Sequence, residues 1–503
     1  MATMDVPEPP WSLHLPEGQE PGDLDLTTGG TLVHRWVDLW ARRPEREVLH
    51  DPDRGWITGE VLERESGDKA RSLAAMGVGS GERVLLGGSA GVDLVTAHVA
   101  CLRLGAVVVP TNPAYREAEL AHLIGDAEPV LALTDDPRTV ARFGAAAPSL
   151  RVEPLHLGGE PHGPAVELDA VGPGSPALIG YTSGTTGRPK GAVLSHGNLL
   201  AGVNSLRVAW RWTSEDRLVL ALPLFHMHGL GVGLHGTLAA GASAVLLPRF
   251  DPEAVLDAVA AHEATMFFGV PTMYNRLVES ARAGLLGRLR LVVSGSAPLP
   301  AAMHRRIEEL TGQRVVERYG MTETIMLASN PVDGDRRAGT VGVALPGVDL
   351  RLEEGTDEVL VRGPNVFGGY WRRPDADAEA FESGWFRTGD VGSFDENGYL
   401  TLVGRAKELI ITGGYNVYPR EVEDALRSFP GVSEVAVIGI PSEEWGEEVC
   451  AHIVTEAGAH VDHGELREYA AARLAPYKVP RHYRPAEALP RNALGKIQKH
   501  RLT

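Results

Sequence analysis

Short apolar runs alternate with amphipathic stretches along most of the chain. Helical spacing of apolar positions over 32–40 and 92–104 predicts helices, and apolar runs at 83–86 and 106–109 predict buried strands. The alternation resumes with a strand at 217–222, a helix at 229–240, a strand at 243–247, a helix at 251–262 and a strand at 266–269. This pattern gives an α/β fold around a largely parallel sheet. Between 341 and 403 it changes to short strands with few helices, and Asn397-Gly398 is a hairpin dipeptide. After Gly404-Arg405-Ala406-Lys407 it changes again, to a helix at 421–428, strands at 432–440 and 447–455, and a helix at 465–474. That last stretch is a small α+β module of roughly 100 residues, an ordinary domain size.

At 503 residues the chain is too long for one core, so two or three domains are expected. Hydrophobic content of 43% and charged content of 23% describe an ordinary globular protein. A net charge of −18 argues against nucleic acid as a partner, because phosphate contacts need clustered Lys and Arg. No apolar run reaches the roughly 18 residues of a membrane span. Residues 1–21 are rich in Pro and acidic groups and lack the basic and apolar regions of a signal peptide. Cys101 and Cys450 stand far apart in apolar surroundings, which suits free thiols in a reducing cytoplasm. Only six of the 48 basic residues are lysines, and Lys190, Lys407 and Lys496 fall in the motifs below. Where lysine persists in such a chain, arginine's different shape and hydration do not serve.

The densest motif is Tyr181-Thr182-Ser183-Gly184-Thr185-Thr186-Gly187-Arg188-Pro189-Lys190-Gly191. Glycines let backbone N–H groups cradle phosphate, hydroxyls add donors and lysine adds a point charge. It is not a Walker A loop, because Arg188 and Pro189 separate Gly187 from Lys190. A strand at 176–180 leads into it, the usual arrangement for a nucleotide loop. His226 and His228 follow another strand; an evident third ligand for a metal is missing. Small residues at Ser294-Gly295-Ser296-Ala297 let a flat group lie against the backbone. In Glu317-Arg318-Tyr319-Gly320-Met321-Thr322-Glu323, Tyr319 offers a face for adenine, Thr322 a donor for phosphate, and Glu323 a hard oxygen for Mg²⁺. Taken singly, these features are a loop, core histidines or a satisfied carboxylate.

Taken together and in this order, they resemble the adenylate-forming superfamily of acyl-CoA synthetases, peptide-synthetase adenylation domains and luciferases, over nearly the whole chain. The resemblance implies a large N-terminal domain of layered α/β subdomains with a small β-barrel-like subdomain, followed by a small mobile α+β domain. The boundaries would be 1–403, a hinge at 404–407 around Lys407, and 408–503. It assigns the ATP phosphates to Thr182, Ser183, Gly184, Thr185, Thr186, Gly187 and Lys190. It assigns the nucleotide and acyl surroundings to Gly295, Ser296, Ala297, Glu317, Arg318, Tyr319, Gly320 and Thr322, with Mg²⁺ on Glu323. Asp390, in Arg387-Thr388-Gly389-Asp390, and Arg405 would take the ribose. Gly413, Gly414 and Trp445 would approach the pantetheine arm of CoA. His226 would gate the acyl pocket, and Lys496 in Gly495-Lys496 would be the main catalytic residue, alongside Thr186 and Glu323. The implied reaction activates an acid as acyl-AMP and passes the acyl group to CoA.

The acid is less legible. Ala328-Ser329-Asn330-Pro331 before Asp333-Gly334-Asp335-Arg336 is similar in wording to malonyl-CoA synthetases, and Arg290 is a candidate for meeting a second carboxylate. The run Ile325-Met326-Leu327-Ala328 reads instead as an apolar wall, favouring a hydrophobic or aromatic monocarboxylate, with malonate as the alternative. Shortness of the 352–359 segment bears on the adenylation step and keeps a half-reaction ligase, or an adenylate-binding protein working with a partner ligase, in view. No carrier-protein module follows Thr503, which points to a free-standing ligase using CoA. Oligomeric state is not legible.

Overall fold

The computed structural model describes residues 9–27, 30–156, 166–182, 189–412, 415–442, 445–491 and 496–502. The chain divides into two compact units. The larger takes in Met1–Leu350, Val361–Phe386 and Asp395–Leu400, and the smaller Arg351–Leu360, Arg387–Phe394 and Thr401–Thr503. The smaller unit thus includes two segments that the sequence boundaries put in the first domain.

Two sheets build the larger unit. The first runs in the order Val343–Ala344, Ala328–Ser329, Val316–Tyr319, Leu291–Ser294, Met266–Gly269, Arg217–Leu220, Ser243–Leu246, Glu47–Asp51, Gly55–Thr58. Its central strands are parallel, with Phe268 beside Val293 and Val293 beside Val316. The second runs Val152–Glu153, Leu131–Leu133, Arg83–Leu86, Val107–Pro110, Pro176–Thr182, Lys190–Ser195, parallel until the last pair. Burial on both faces explains why these strands read as unbroken apolar runs. Phe267 and Phe268 are wholly buried, as are Trp36 and Trp210 on the helices and turns that cover the first sheet. Each such side chain contributes roughly 1.5–3 kcal/mol of transfer free energy.

Helix Leu32–Arg42 shows the local logic. The Thr31 hydroxyl accepts from the His34 amide at its N-terminus, and Leu32, Val33, Trp36 and Trp40 form one buried stripe. The single helix expected over 229–240 is two elements: a π-helix at His228–Leu234 and an α-helix at His235–Ala240. Glycines at 229, 231 and 233 lower the cost of the wide turn, and periodicity alone does not reveal it.

A five-stranded sheet follows, ordered Asp349–Leu352, Glu358–Arg362, Trp385–Phe394, Phe381–Glu382, with Leu400–Arg405 also on Trp385–Phe394. The smaller unit carries its own sheet, Tyr415–Val417, Ile410–Thr412, Gly446–Thr455, Val432–Ser442, with His482–Pro485 on Gly446–Thr455. Val422 and Leu426, one turn apart on helix Pro419–Arg427, pack into its core with Val435, Val437 and Ile453. No helix of the described residues is long and apolar enough to cross a membrane.

Candidate functional site

The larger unit assembles a polar corner from three segments. Strand Pro176–Thr182 pairs antiparallel with Lys190–Ser195, bringing Thr182 opposite Lys190. Between them, Ser183, Gly184, Thr185, Thr186 and Gly187 lie outside the described residues. Residues 367–371 add an edge to this pair. Ala192 bridges to Tyr370, and the Trp371 amide donates to the Gly191 carbonyl at 2.7 Å. The Phe367 amide donates to the Glu323 carbonyl at 2.8 Å. A Cβ at Gly180 would fall 2.4 Å from the Thr322 methyl, so glycine there lets the Thr322–Glu323 loop close on the strand. Tyr370 joins the pieces. Its hydroxyl donates to Glu323 Oε1 at 3.1 Å, and its ring lies 5.2 Å from Lys190 Nζ. Beneath the loop, Tyr181 donates to Asp126 at 2.7 Å, and burial and that carboxylate push its phenol far above the ordinary range. Tyr181 is therefore a fixed donor.

A second cluster lies at the carboxyl ends of Leu291–Ser294 and Val316–Tyr319, where parallel sheets receive ligands. Tyr319 is almost buried. Glu317 is engaged inside the protein: Oε1 accepts from the Leu299 amide at 3.0 Å, and Oε2 lies 3.1 Å from His304 Nε2. Its carboxylate thereby fixes the turn that carries Gly295, Ser296 and Ala297. Ser296 holds φ at +67°, a left-handed strain of the kind found at ligand sites. Its hydroxyl lies 3.3 Å from His228 Nδ1.

Arg318 stands out in this cluster. The residue is 5% exposed, and Nε and Nη2 have no hydrogen-bond partner among the described residues. A Cβ at Gly295 would lie 2.3 Å from Arg318 Nε, so glycine makes the room for this guanidinium. Burial pulls its pKa down to about 9. Around it, burial lowers His226 to about 4, and burial with the Arg318 charge takes His228 well below its ordinary value. Both imidazoles are neutral at physiological pH. Their Nε2 atoms and Ser294 Oγ are likewise buried without a partner among the described residues. A polar cluster so buried calls for a polar guest.

Two expectations about the acid are corrected here. Arg290 does not await a carboxylate from outside. Its Nε and Nη2 each hold one oxygen of Asp216 at 2.6 Å, and Nη1 donates to the Trp210 carbonyl at 3.0 Å. Nor is 325–328 a free apolar wall. Ile325 packs against Gly202 on helix His196–Ala209, and Ala328 pairs with Tyr319 in the sheet. Periodicity cannot tell a pocket wall from core.

The smaller unit holds the other motif residues. Asp390 is nearly buried and bound to Arg405, Oδ1 to Nε at 2.6 Å. Arg387 bonds Glu353 and Glu358, and Glu358 also accepts from the Gly389 amide at 2.8 Å. The shortened hairpin is thus an anchor: Arg387 first, then Thr356, hold the Glu353 carboxyl down at about 2. Lys407 sits exposed in the short turn Ala406–Glu408. Lys496 is exposed as a residue, but crowding at its ammonium and the charge of Arg405 bring its pKa below the ordinary lysine range; Asp390 and Glu408 pull the other way. Lys499, missed in the sequence, ties this tail to Glu408 at 3.0 Å and Glu423 at 2.8 Å. Trp445 lies under the Arg481 guanidinium, 4.0 Å from ring centre to carbon. Gly413 and Gly414 lie outside the described residues.

Comparison with known families decides the identity. The AMP-binding enzyme family matches residues 36–371, and the AMP-binding enzyme C-terminal domain matches 421–496. The chain belongs to the AMP-binding enzyme family. Within it, the chain falls among the acyl-CoA ligases. It is 37% identical to the indoleacetate–CoA ligase of Aromatoleum aromaticum over 499 residues, 93% of this chain and 96% of that one. It is 37% identical to the mitochondrial malonate–CoA ligase ACSF3 of Mus musculus over 518 residues, 93% and 87% of the two chains. Among solved structures it resembles the o-succinylbenzoate CoA synthetase MenE of Bacillus subtilis, in complex with ATP and magnesium ion. The TM-score is 0.85 at 30% identity, over 94% of this chain and 99% of that one. An AMP-binding enzyme of this type uses ATP, CoA and Mg²⁺. Magnesium takes one or two carboxylates and completes its shell with phosphate oxygens and water. The buried Glu323 fits that demand, and no group of three metal-ligating side chains competes with it among the described residues.

Proposed function

We propose that this acyl-CoA ligase activates a small acid bearing a second anionic group, of which malonate is the simplest. The observation that carries the reading is Arg318. A buried guanidinium with two unpartnered nitrogens among the described residues is costly unless a ligand supplies the anion. The neutral His228 beside it, with His226 near that ring and the Ser296 hydroxyl 3.3 Å from its Nδ1, suits the remaining oxygens. The relatives do not choose the class, since an indoleacetate–CoA ligase is as similar as a malonate–CoA ligase, both at 37% identity; the reading rests on Arg318.

In this reading one carboxylate of the acid attacks the α-phosphorus of ATP and pyrophosphate leaves. The CoA thiol then attacks the acyl carbonyl and AMP leaves. Lys190 and the 182–187 loop hold phosphates, Thr322 donates to the α-phosphate, and Tyr319 offers its face to adenine. Asp390 with Arg405 takes the ribose hydroxyls. Glu323 would hold Mg²⁺, which neutralises phosphate charge when bound. Lys496 stabilises negative charge developing at phosphorus. Lys407 is the hinge between domains 1–403 and 408–503, and Gly413, Gly414 and Trp445 flank the CoA arm. The buried free thiols Cys101 and Cys450 suit a cytoplasmic enzyme.

Mass spectrometry tests the activity. Purified protein with ATP, Mg²⁺ and a panel of acids should yield acyl-AMP without CoA and acyl-CoA with it, most abundantly from malonate. Acyl-CoA formed only from supplied acyl-adenylates would instead mean a half-reaction enzyme.

A further inference from the structure

Tyr370 belongs to none of the motifs that the sequence singled out, yet its side chain touches two of them. Its hydroxyl donates to Glu323 Oε1 at 3.1 Å, and its ring faces Lys190 Nζ at 5.2 Å. The ring is fixed on every side. Its backbone bridges to Ala192 on the strand of Lys190, and its amide donates to Asp377 Oδ1 at 2.7 Å. Phe367 packs edge-on against it at 4.9 Å, while the Phe367 amide binds the Glu323 carbonyl. Nearby, Asn365 Nδ2 donates to the carbonyls of Thr324 and Met326, at 2.7 and 2.8 Å, clamping the loop after Glu323.

We propose that Tyr370 is a positioning residue: it sets the distance between the lysine that meets phosphate and the carboxylate that meets magnesium. This rests on the reading that Lys190 and Glu323 have those roles. The two parts of the side chain do separate things. The hydroxyl fixes the orientation of one Glu323 oxygen, as partners of metal-binding carboxylates do. The ring steadies the ammonium of Lys190 without neutralising it, which a carboxylate in that place would do. A neutral spacer keeps cation and anion from collapsing onto each other, so both are available to the nucleotide–metal complex.

The test separates hydroxyl from ring. Mn²⁺ binding is followed by electron paramagnetic resonance in the presence of a non-hydrolysable ATP analogue, and metal-free binding of the same analogue by calorimetry. Tyr370→Phe should weaken Mn²⁺ about tenfold, at the low end for loss of a partner to a metal ligand. Metal-free analogue binding and acyl-CoA formation from supplied acyl-adenylate should stay as in wild type. Tyr370→Gln keeps a donor but loses the ring; it should hold Mn²⁺ better than Tyr370→Phe and bind the metal-free analogue more weakly. Unchanged Mn²⁺ affinity in Tyr370→Phe would overturn the proposal, as would equal effects of the two variants on both readouts. Glu323→Gln is the control. If it too leaves Mn²⁺ affinity unchanged, the assignment of Glu323 has failed, and the proposal falls with it for that distinguishable reason.

Discussion

Two arginines on neighbouring parallel strands meet opposite surroundings. Arg290 stands at the entry of Leu291–Ser294, and Arg318 near the exit of Val316–Tyr319. Arg290 is satisfied by Asp216 and two backbone carbonyls, and Asp216 in turn is buried. Arg318 is the more deeply buried of the two, and two of its nitrogens have no partner among the described residues. The entry end of the sheet uses its arginine to close the fold. The exit end, where loops diverge and ligands enter, holds one whose desolvation the fold does not offset. On the proposed function, the difference separates a structural charge from a binding charge where residue type does not.

That contrast can be broken by mutation. The largest effect of a single substitution on stability is expected for Arg290→Met, which leaves Asp216 buried without its cation and should cost about 3 kcal/mol. Burial alone would raise the Asp216 carboxyl, but the Arg290 bonds outweigh it and hold the group below its ordinary value. Urea denaturation measures the loss, and activity per folded molecule should be unchanged. Inactivity of the folded fraction would undo the structural role of Arg290.

Next come histidines buried away from Arg318. His98 Nε2 lies 2.8 Å from His235 Nε2, with His196 close enough to influence both. Burial lowers His98 to about 3 and His196 to about 4, and takes His235 well below 6.5. All three are neutral in the fold, so the unfolded chain binds more protons below about pH 6.5. Stability should be level above that value and fall as pH drops, by on the order of 2 kcal/mol per histidine at pH 5. Denaturation curves from pH 7.5 to 5 check this; His98→Leu should reduce the slope by about one proton. The smallest effect is for Arg318→Met, which should raise thermal stability, by about 1 kcal/mol or more, because it removes an uncompensated buried charge. A drop of several kcal/mol would show that Arg318 is held within the fold after all.

Much of the fold was legible because local patterning dictates it. The strand at 83–86 and the helix at 92–104 have the bounds their apolar spacing predicts. The motif on Val316–Tyr319 and its following turn stands in consecutive positions and so could be picked out whole, while the roles of its residues are those proposed above. What was not legible depends on distant partners. Asp216 lies 74 residues before Arg290, so the sequence could not show that this guanidinium was already engaged. Glu323 and Tyr370 are 47 residues apart, and no spacing rule joins them. The run 325–328 was apolar as read, but packing made it core.

The most direct test of the central claim is the ratio of kcat/KM for malonate to that for propionate, in wild type and in Arg318→Met. The two acids differ by one carboxylate, and a buried charge-assisted contact to it is worth about 2–5 kcal/mol. The account predicts a ratio of at least about 30 in wild type that collapses toward one in the variant. A wild-type ratio near one, or a high ratio that survives the loss of Arg318, would contradict it.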